Sequence, residues 1–189
     1  MTSSYIALDL ETTGLESRTE KITEAAALKV IDGEIQGRFV TLINPGRAIT
    51  KKITELTGIT DEMVKDAPAM EEVIGELLEF SEGLHLLGHN ISFDYRFLKQ
   101  AAVNSHLECE RDAVDTLLLC RSLMPTDEKK NLSAACAFYH IPQSTAHRAE
   151  ADAESAHLLY RKLCSLYGKE REELFRPHPL IHKAKREQP

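Results

Sequence analysis

Asp9 and Glu11 stand two positions apart in the run Asp9-Leu10-Glu11-Thr12-Thr13-Gly14. The preceding run, Tyr5-Ile6-Ala7-Leu8, is almost wholly apolar and predicts a strand covered on both faces. Side chains at i and i+2 of a strand leave the same face, with Cα atoms roughly 6–7 Å apart. Both acids therefore aim at one point beyond a buried strand. Carboxylates placed together there repel and lose solvation, a cost that a divalent cation removes. The plainer alternative is a pair of solvated acids before a glycine turn, and the rest of the chain decides between the two.

Asp94 falls in the first turn of a helix that follows Gly88-His89-Asn90. Acids are favoured there by the helix dipole, so alone it is an ordinary helix-start acid. If its helix leaves a strand lying beside the first, Asp94 arrives at the same sheet edge as Asp9 and Glu11. A third element is His147-Arg148-Ala149-Glu150-Ala151-Asp152. His147 precedes or opens the last helix, and Asp152 sits in its second turn. Ala149, Ala153 and Ala156 make one helix face small, which lets it approach the sheet and turns Asp152 inward. Glu150 and Glu154 fall on other faces and are expected in solvent. A helix N-terminus disfavours imidazolium and would keep His147 able to take a proton, unless the nearby acids override it. Hard divalent cations select carboxylate oxygens. Two such ions about 3.5–4 Å apart can activate water and stabilise charge on a phosphate. Asp9, Glu11, Asp94 and Asp152 make a suitable ligand set.

The elements that must position these groups are legible in outline. Strands are expected over Tyr5–Leu8, Ile22–Ile31 and Phe39–Ile43, with Asp32-Gly33 as a two-residue hairpin turn. Residues 47–67 read as a loop with a helical turn near Ile53–Leu56. Asp66 and Pro68 start a helix whose Met70, Val73, Ile74, Leu77 and Leu78 form an apolar stripe, ended by Gly83. A short strand over 84–88 precedes a helix over 91–104. A strand or turn near Ala113–Asp115 leads to a helix over 116–123, and Asn131 or Ser133 opens another through Tyr139. After a loop at Pro142–Thr145, the last helix runs from Arg148 to Tyr167, capped by Gly168. The order is that of an α/β domain with a mixed sheet. Residues 1–168 form this domain, and 169–189 read as a charged, Pro-containing tail or linker.

The chain has 189 residues, 42% hydrophobic and 28% charged, which suits one globular domain with a sizeable core. No apolar run approaches the roughly 20 residues of a membrane span. Neither a signal peptide nor CxxC spacing is present, so four scattered cysteines read as buried free thiols in a reducing, cytoplasmic compartment. The net charge of −7 is uneven. Residues 176–189 hold four Lys or Arg against Glu187, net +3, which leaves −10 on residues 1–175. An acidic body argues against static nucleic-acid binding and would need metal ions to handle a polyanion.

Taken together, the Asp9-x-Glu11 run, the segment from His89 to Leu98 around Asp94, and the His147…Asp152 spacing resemble three motifs of the DEDDh branch of the DnaQ-like 3′–5′ exonuclease family. That family includes the epsilon proofreading subunit of DNA polymerase III and the exonuclease region of PolC-type polymerases. The likeness runs from Tyr5 to Tyr160 and takes in Glu55-Leu56-Thr57-Gly58-Ile59-Thr60-Asp61. It implies an RNase H-like α/β fold with a central five-stranded mixed sheet flanked by helices. It also implies two divalent ions, Mg²⁺ or Mn²⁺. Asp9 would bridge both, Glu11 and Asp152 would hold the nucleophile-side ion, Asp94 would support the sites partly through water, and His147 would be the general base.

Substrate contacts are implied as well. The backbone around Leu10, Glu11, Thr12 and Thr13 would meet the 3′-terminal nucleotide. Leu56 would wedge against the terminal base, or else pack in the core. Asn90 would touch phosphate or sugar, or else cap its helix. Asp115 reads as structural, Lys129 and Lys130 as loop residues, and His89 has no legible role. The implied activity is metal-dependent 3′–5′ hydrolysis of single-stranded 3′ ends, of DNA before RNA, releasing nucleoside 5′-monophosphates. Implied partners are a polymerase or another replication or repair protein, and no membrane. The rivals are an exoribonuclease, because a 2′-OH contact is not legible in sequence, and a non-catalytic nucleic-acid-binding module, against which the intact acid set argues.

Overall fold

A computed structural model describes residues 3–143 and 147–186. Strands β1 (Tyr5–Thr12), β2 (Ile22–Ile31) and β3 (Glu34–Leu42) form an antiparallel meander. Asp32 and Gly33 join β2 to β3 with φ of 51° and 82°, as a two-residue turn of the primed type requires. On the other side of β1 lie β4 (Leu86–Gly88) and β5 (Asp112–Asp115), both parallel to it. A two-residue β6 (His178–Pro179) pairs antiparallel with β5, giving the order β3-β2-β1-β4-β5-β6.

The mixed sheet therefore has six strands rather than five. The extra one comes from the segment expected as an irregular tail or linker. Phe175 and Leu180, on either side of β6, are buried and hold that segment against the domain. A proline at a sheet edge costs no ladder bond, so His178-Pro179 is tolerated there.

Alternation along β1 sorts its side chains between two layers. Ile6, Leu8 and Leu10 pack with α3 (Met70–Phe80) and α4 (Ile91–Asn104). Tyr5 and Ala7 pack with α5 (Thr116–Leu123), α6 (Leu132–Phe138) and α7 (Ala149–Tyr167). Asp9 and Glu11 continue the second row. As the small-residue face anticipated, Ala149 and Ala153 are fully buried, in one cluster with Ala7 and Ala26. That close approach sets the start of α7 over the end of β1.

Two expectations change between β3 and β4. The stretch read as a loop with one helical turn holds two short helices, α1 (Lys51–Thr57) and α2 (Asp61–Val64). Thr50 and Thr60 cap their starts, and Gly58 closes α1 in the left-handed conformation at φ 73°. The next helix begins at Met70, later than Asp66 or Pro68, because the Glu72 carboxylate accepts the Ala69 N–H and fixes the first turn there. The loop expected at 142–145 lies partly outside the described residues, and so does Glu187. All four cysteines are free, three of them buried. Among the described residues no helix is long and apolar enough to cross a membrane.

Candidate active site

Three of the four expected acids meet. Asp9, Glu11 and Asp152 each offer a carboxylate oxygen, and those oxygens lie within 4.8 Å of one another. The first two come from the end of β1 and the third from the first turns of α7, across the same face of the sheet. Asp94 comes from the opposite layer. It is buried, and its Oδ1 accepts the Leu10 N–H at 3.0 Å. That bond draws Asp94 to the backbone between Asp9 and Glu11, where its charge acts on Asp9 more than that of any other acid.

Crowding and burial show in the ionisation of this group. Burial first, then the charges of Asp94, Glu11 and Asp152, hold the Asp9 carboxyl well above the ordinary range. Burial and the Asp152 and Glu24 charges push Glu11 up to about 7, opposed by Arg148. Asp94 is also raised, chiefly by burial, although its bond from Leu10 pulls the other way. Asp152 is raised by burial and held back by the N–H and the charge of His147. Four acids that resist ionisation together form a site that a divalent cation would complete. The meeting oxygens are all carboxylate, which suits Mg²⁺ or Mn²⁺.

His147 is exposed at the mouth of this group. Its φ of 61° lies in the left-handed region, uncommon for a residue with a Cβ. In that conformation its backbone N–H donates to Asp152 Oδ2 at 3.1 Å. The turn thus keeps the histidine beside the acid that faces Asp9 and Glu11.

A residue without a role in the sequence reading holds this arrangement. Glu24 of β2 pairs across the ladder with Glu11 and is only 2% exposed. Its carboxylate receives Arg148 Nη2 at 2.6 Å and Nε at 3.0 Å, and also the Ala149 N–H at 3.0 Å. A strand acid therefore caps the start of α7 and pins it through a two-point ion pair. The signal was present in sequence as one acid inside an otherwise buried strand, cross-strand from the catalytic candidates.

The substrate candidates divide. Leu56 is 53% exposed on α1, so the core-packing alternative has no support. Asn90 is exposed at the start of α4, with φ 67° and no side-chain cap bond, so its amide is not used as a helix cap. Its N–H donates to Asp115 Oδ1, which also receives the Leu117 N–H, both at 2.9 Å, so Asp115 does serve the fold. Thr12 and Thr13 are buried and turn their hydroxyls to Gly14 O and Glu20 Oε2. The backbone N–H groups of Leu10 and Thr13 are already donated to Asp94 and Lys21 O. His89 bridges Thr116 and the Lys130 carbonyl, and Lys130 folds back onto its own loop. Sequence reasoning passed over Leu15, an 81% exposed leucine directly after Gly14.

The profile of the RNase_T family, described as exonuclease, matches residues 6–160. PolC-type DNA polymerase III of Halalkalibacterium halodurans is 42% identical over 161 residues, which cover 84% of this chain and 11% of that protein. The Bacillus subtilis PolC-type enzyme is 40% identical over 164 residues, or 85% and 11%. The chain thus spans about a tenth of the length of these curated relatives. Among solved structures, E. coli exonuclease I in complex with a dT13 oligonucleotide superposes with TM-score 0.78 at 17% identity, over 91% of this chain and 43% of that one. Exonuclease X in complex with 5′-overhanging duplex DNA superposes with TM-score 0.67 at 27% identity, over 89% and 95%. The mixed sheet is of the RNase H-like kind.

Proposed function

The chain belongs to the RNase_T family of DnaQ-like exonucleases, and from that premise we propose that it removes nucleotides one at a time from single-stranded DNA 3′ ends, releasing nucleoside 5′-monophosphates. The observation that carries this reading is the meeting of Asp9, Glu11 and Asp152 oxygens at the end of the central strand. Two divalent cations, Mg²⁺ or Mn²⁺, held by these acids together with Asp94, would supply positive charge against the scissile phosphate and make water easier to deprotonate. His147, exposed beside Asp152, takes the proton of the attacking water as general base. The Glu24–Arg148 pair keeps that base and Asp152 at the mouth of the site. Exposed Leu56 and Leu15 suit contact with unstacked terminal bases, and Asn90 suits a phosphate or sugar.

DNA is preferred over RNA because the relatives are DNA polymerases and the superposed exonucleases are named with DNA. A polymerase or another replication or repair protein is the proposed partner, and the cytoplasm the proposed compartment. The test uses 5′-labelled single-stranded DNA and RNA of one sequence with Mg²⁺, Mn²⁺ or EDTA. A one-nucleotide ladder on DNA, abolished by EDTA and in Asp9→Ala, is expected. Intact substrate under every metal condition would refute the activity, and faster shortening of RNA would refute the preference.

A further inference from the structure

The positive charge of the C-terminal segment has no part in the chemistry above, yet the fold fixes where it goes. Phe175 is buried against Tyr160, with ring centroids 6.0 Å apart. The Leu180 N–H donates to Arg111 O at 2.9 Å, and its side chain packs in the layer under α3 and α4. Further on, the Lys185 carbonyl accepts from Gln100 Nε2 at 2.7 Å, and Gln100 is a buried residue of α4. The segment is therefore laid along α4, while Lys183, Lys185 and Arg186 keep exposed side chains.

Two more cations face the same strip. Arg18 is exposed on the loop that leaves β1, and Arg96 lies over the Phe93 ring at 5.7 Å, a short step along α4 from Asp94. His182 sits among them, its imidazole held below its ordinary range by burial and then by the Arg96 and Arg18 charges, against Glu16. Among the described residues none of Arg18, Arg96, Lys183, Lys185 and Arg186 forms an ion pair, whereas Lys99 on the same helix is bound to Glu110. Both elements that frame the strip, the β1–β2 loop and α4, begin at the acid cluster. Positive charge is thus gathered along α4, a helix that starts at the site, on a body that is otherwise strongly acidic.

We propose that the docked C-terminal segment, together with Arg18 and Arg96, holds the phosphodiester backbone of the substrate strand upstream of its 3′ end. The proposal rests on the nucleic-acid substrate assigned above. Cations at the site serve only the phosphate being cut, and an acidic body repels the rest of the strand. With a screening length of about 8 Å at physiological salt, local Lys and Arg decide whether upstream phosphates are held. Because the segment is already ordered, its cations are presented without an ordering cost at binding.

The test measures binding without cleavage, in EDTA, by fluorescence anisotropy of labelled 20-mer and 4-mer DNA and a 20-mer RNA. In full-length K183E/K185E/R186E, the 20-mer Kd should rise about tenfold at low salt. The slope of log Kd against log salt should fall by about 2, since each single-strand phosphate contact contributes about 0.7. The 4-mer should lose several-fold less, and 20-mer RNA should lose as much as 20-mer DNA, because the backbone is what is held. Wild-type affinity and slope in the variant, equal losses at both lengths, or a loss confined to one polymer would each overturn the proposal. Should the triple variant melt early, K183E and K185E singly should each raise the 20-mer Kd twofold to threefold, and no change in either counts against it. Length-dependent binding by a wild-type protein that cuts nothing would sink the exonuclease reading and leave this surface standing. Cleavage with an indifferent triple variant would do the reverse.

Discussion

The two halves of the candidate site are built on different principles. Asp9 and Glu11 belong to β1, which pairs with β4 over Ile6 and Ala7 and with β2 along its length, so that Asp9 faces Ala26 and Glu11 faces Glu24. Their positions follow from the sheet, and the repulsion between them cannot push them apart. Asp152 and His147 ride on the start of a helix that approaches from above. They are held by the alanine contact of α7 and by Glu24, which grips Arg148 and the Ala149 N–H. One half resists strain through the ladder to β2, the other through alanine packing and one ion pair. The strand half should therefore fail only chemically, and the helix half geometrically.

The largest effect is expected in the strand half. Asp9→Asn keeps shape and ladder but removes the most crowded charge, and should cut metal-dependent hydrolysis by on the order of 10⁴-fold or more. Without metal, the same variant should melt several degrees higher than wild type, because burial and four acidic neighbours oppose that charge. Calorimetry with EDTA checks the second claim, and a lower melting temperature would mean the acids are not in conflict. His147→Ala should lose about 10³-fold in kcat. Mn²⁺ affinity, read by electron paramagnetic resonance, should stay near wild type, since His147 touches the cluster only through its N–H to Asp152. Lost Mn²⁺ binding would remove the histidine from the role of base.

Breaking the pin on the helix half should have an intermediate effect. Glu24→Gln and Arg148→Met are each expected to lower kcat about 10- to 100-fold, the usual cost of losing a partner that orients a ligand. KM should change little. Because the two act as a unit, the double variant should cost no more than either single one. Arg148→Lys should not rescue, because an ammonium cannot make the two-point contact. Additive losses in this cycle would show that Glu24 and Arg148 act independently rather than as one pin, and no loss in any of the variants would show that α7 is positioned by its alanine packing alone.

This contrast also explains what sequence could and could not reveal. The strand half was legible because apolar Tyr5–Leu8 and the Asp9-x-Glu11 spacing fix a face by local geometry. Asp94 and Asp152 were legible because their helices start where a sheet edge must receive them. Glu24 was not, because its importance lies in two partners far along the chain, Arg148 and Ala149, whose meeting depends on how closely α7 sits. The folding-back of the C-terminal segment was hidden for the same reason. A two-residue strand containing proline has no periodicity to detect, and its place is set by Phe175 and Leu180 finding the core. Helices α1 and α2 are only partly legible although Thr50, Gly58 and Thr60 are local signals, because each helix is too short to show an apolar stripe.

The smallest predicted effect concerns both halves at once and is read as stability. Asp9, Glu11, Asp94 and Asp152 all have folded-state pKa values above their unfolded ones. The native state therefore holds more protons than the unfolded chain from about pH 4, the ordinary carboxylate range, up through Glu11 at about 7 and Asp94 at about 8. Across that window the acids make stability fall as pH rises. Half-buried His89 and buried His157 are shifted downward and act oppositely below about pH 6.5, losing stability as pH falls. A single pH–melting curve mixes the two. The difference between metal-free and Mn²⁺-loaded protein separates them, because neither histidine belongs to the acid group. The stabilisation by Mn²⁺ should be a few degrees at pH 8, where Glu11 has ionised and fewer protons compete for the carboxylates, and should shrink towards zero at pH 5, where protons already neutralise them. Equal shifts at both pH values would mean that the acids are not the cation's ligands. A shift that survives in Asp9→Asn but vanishes in Glu24→Gln would mean that the helix half, rather than the strand half, governs the cation.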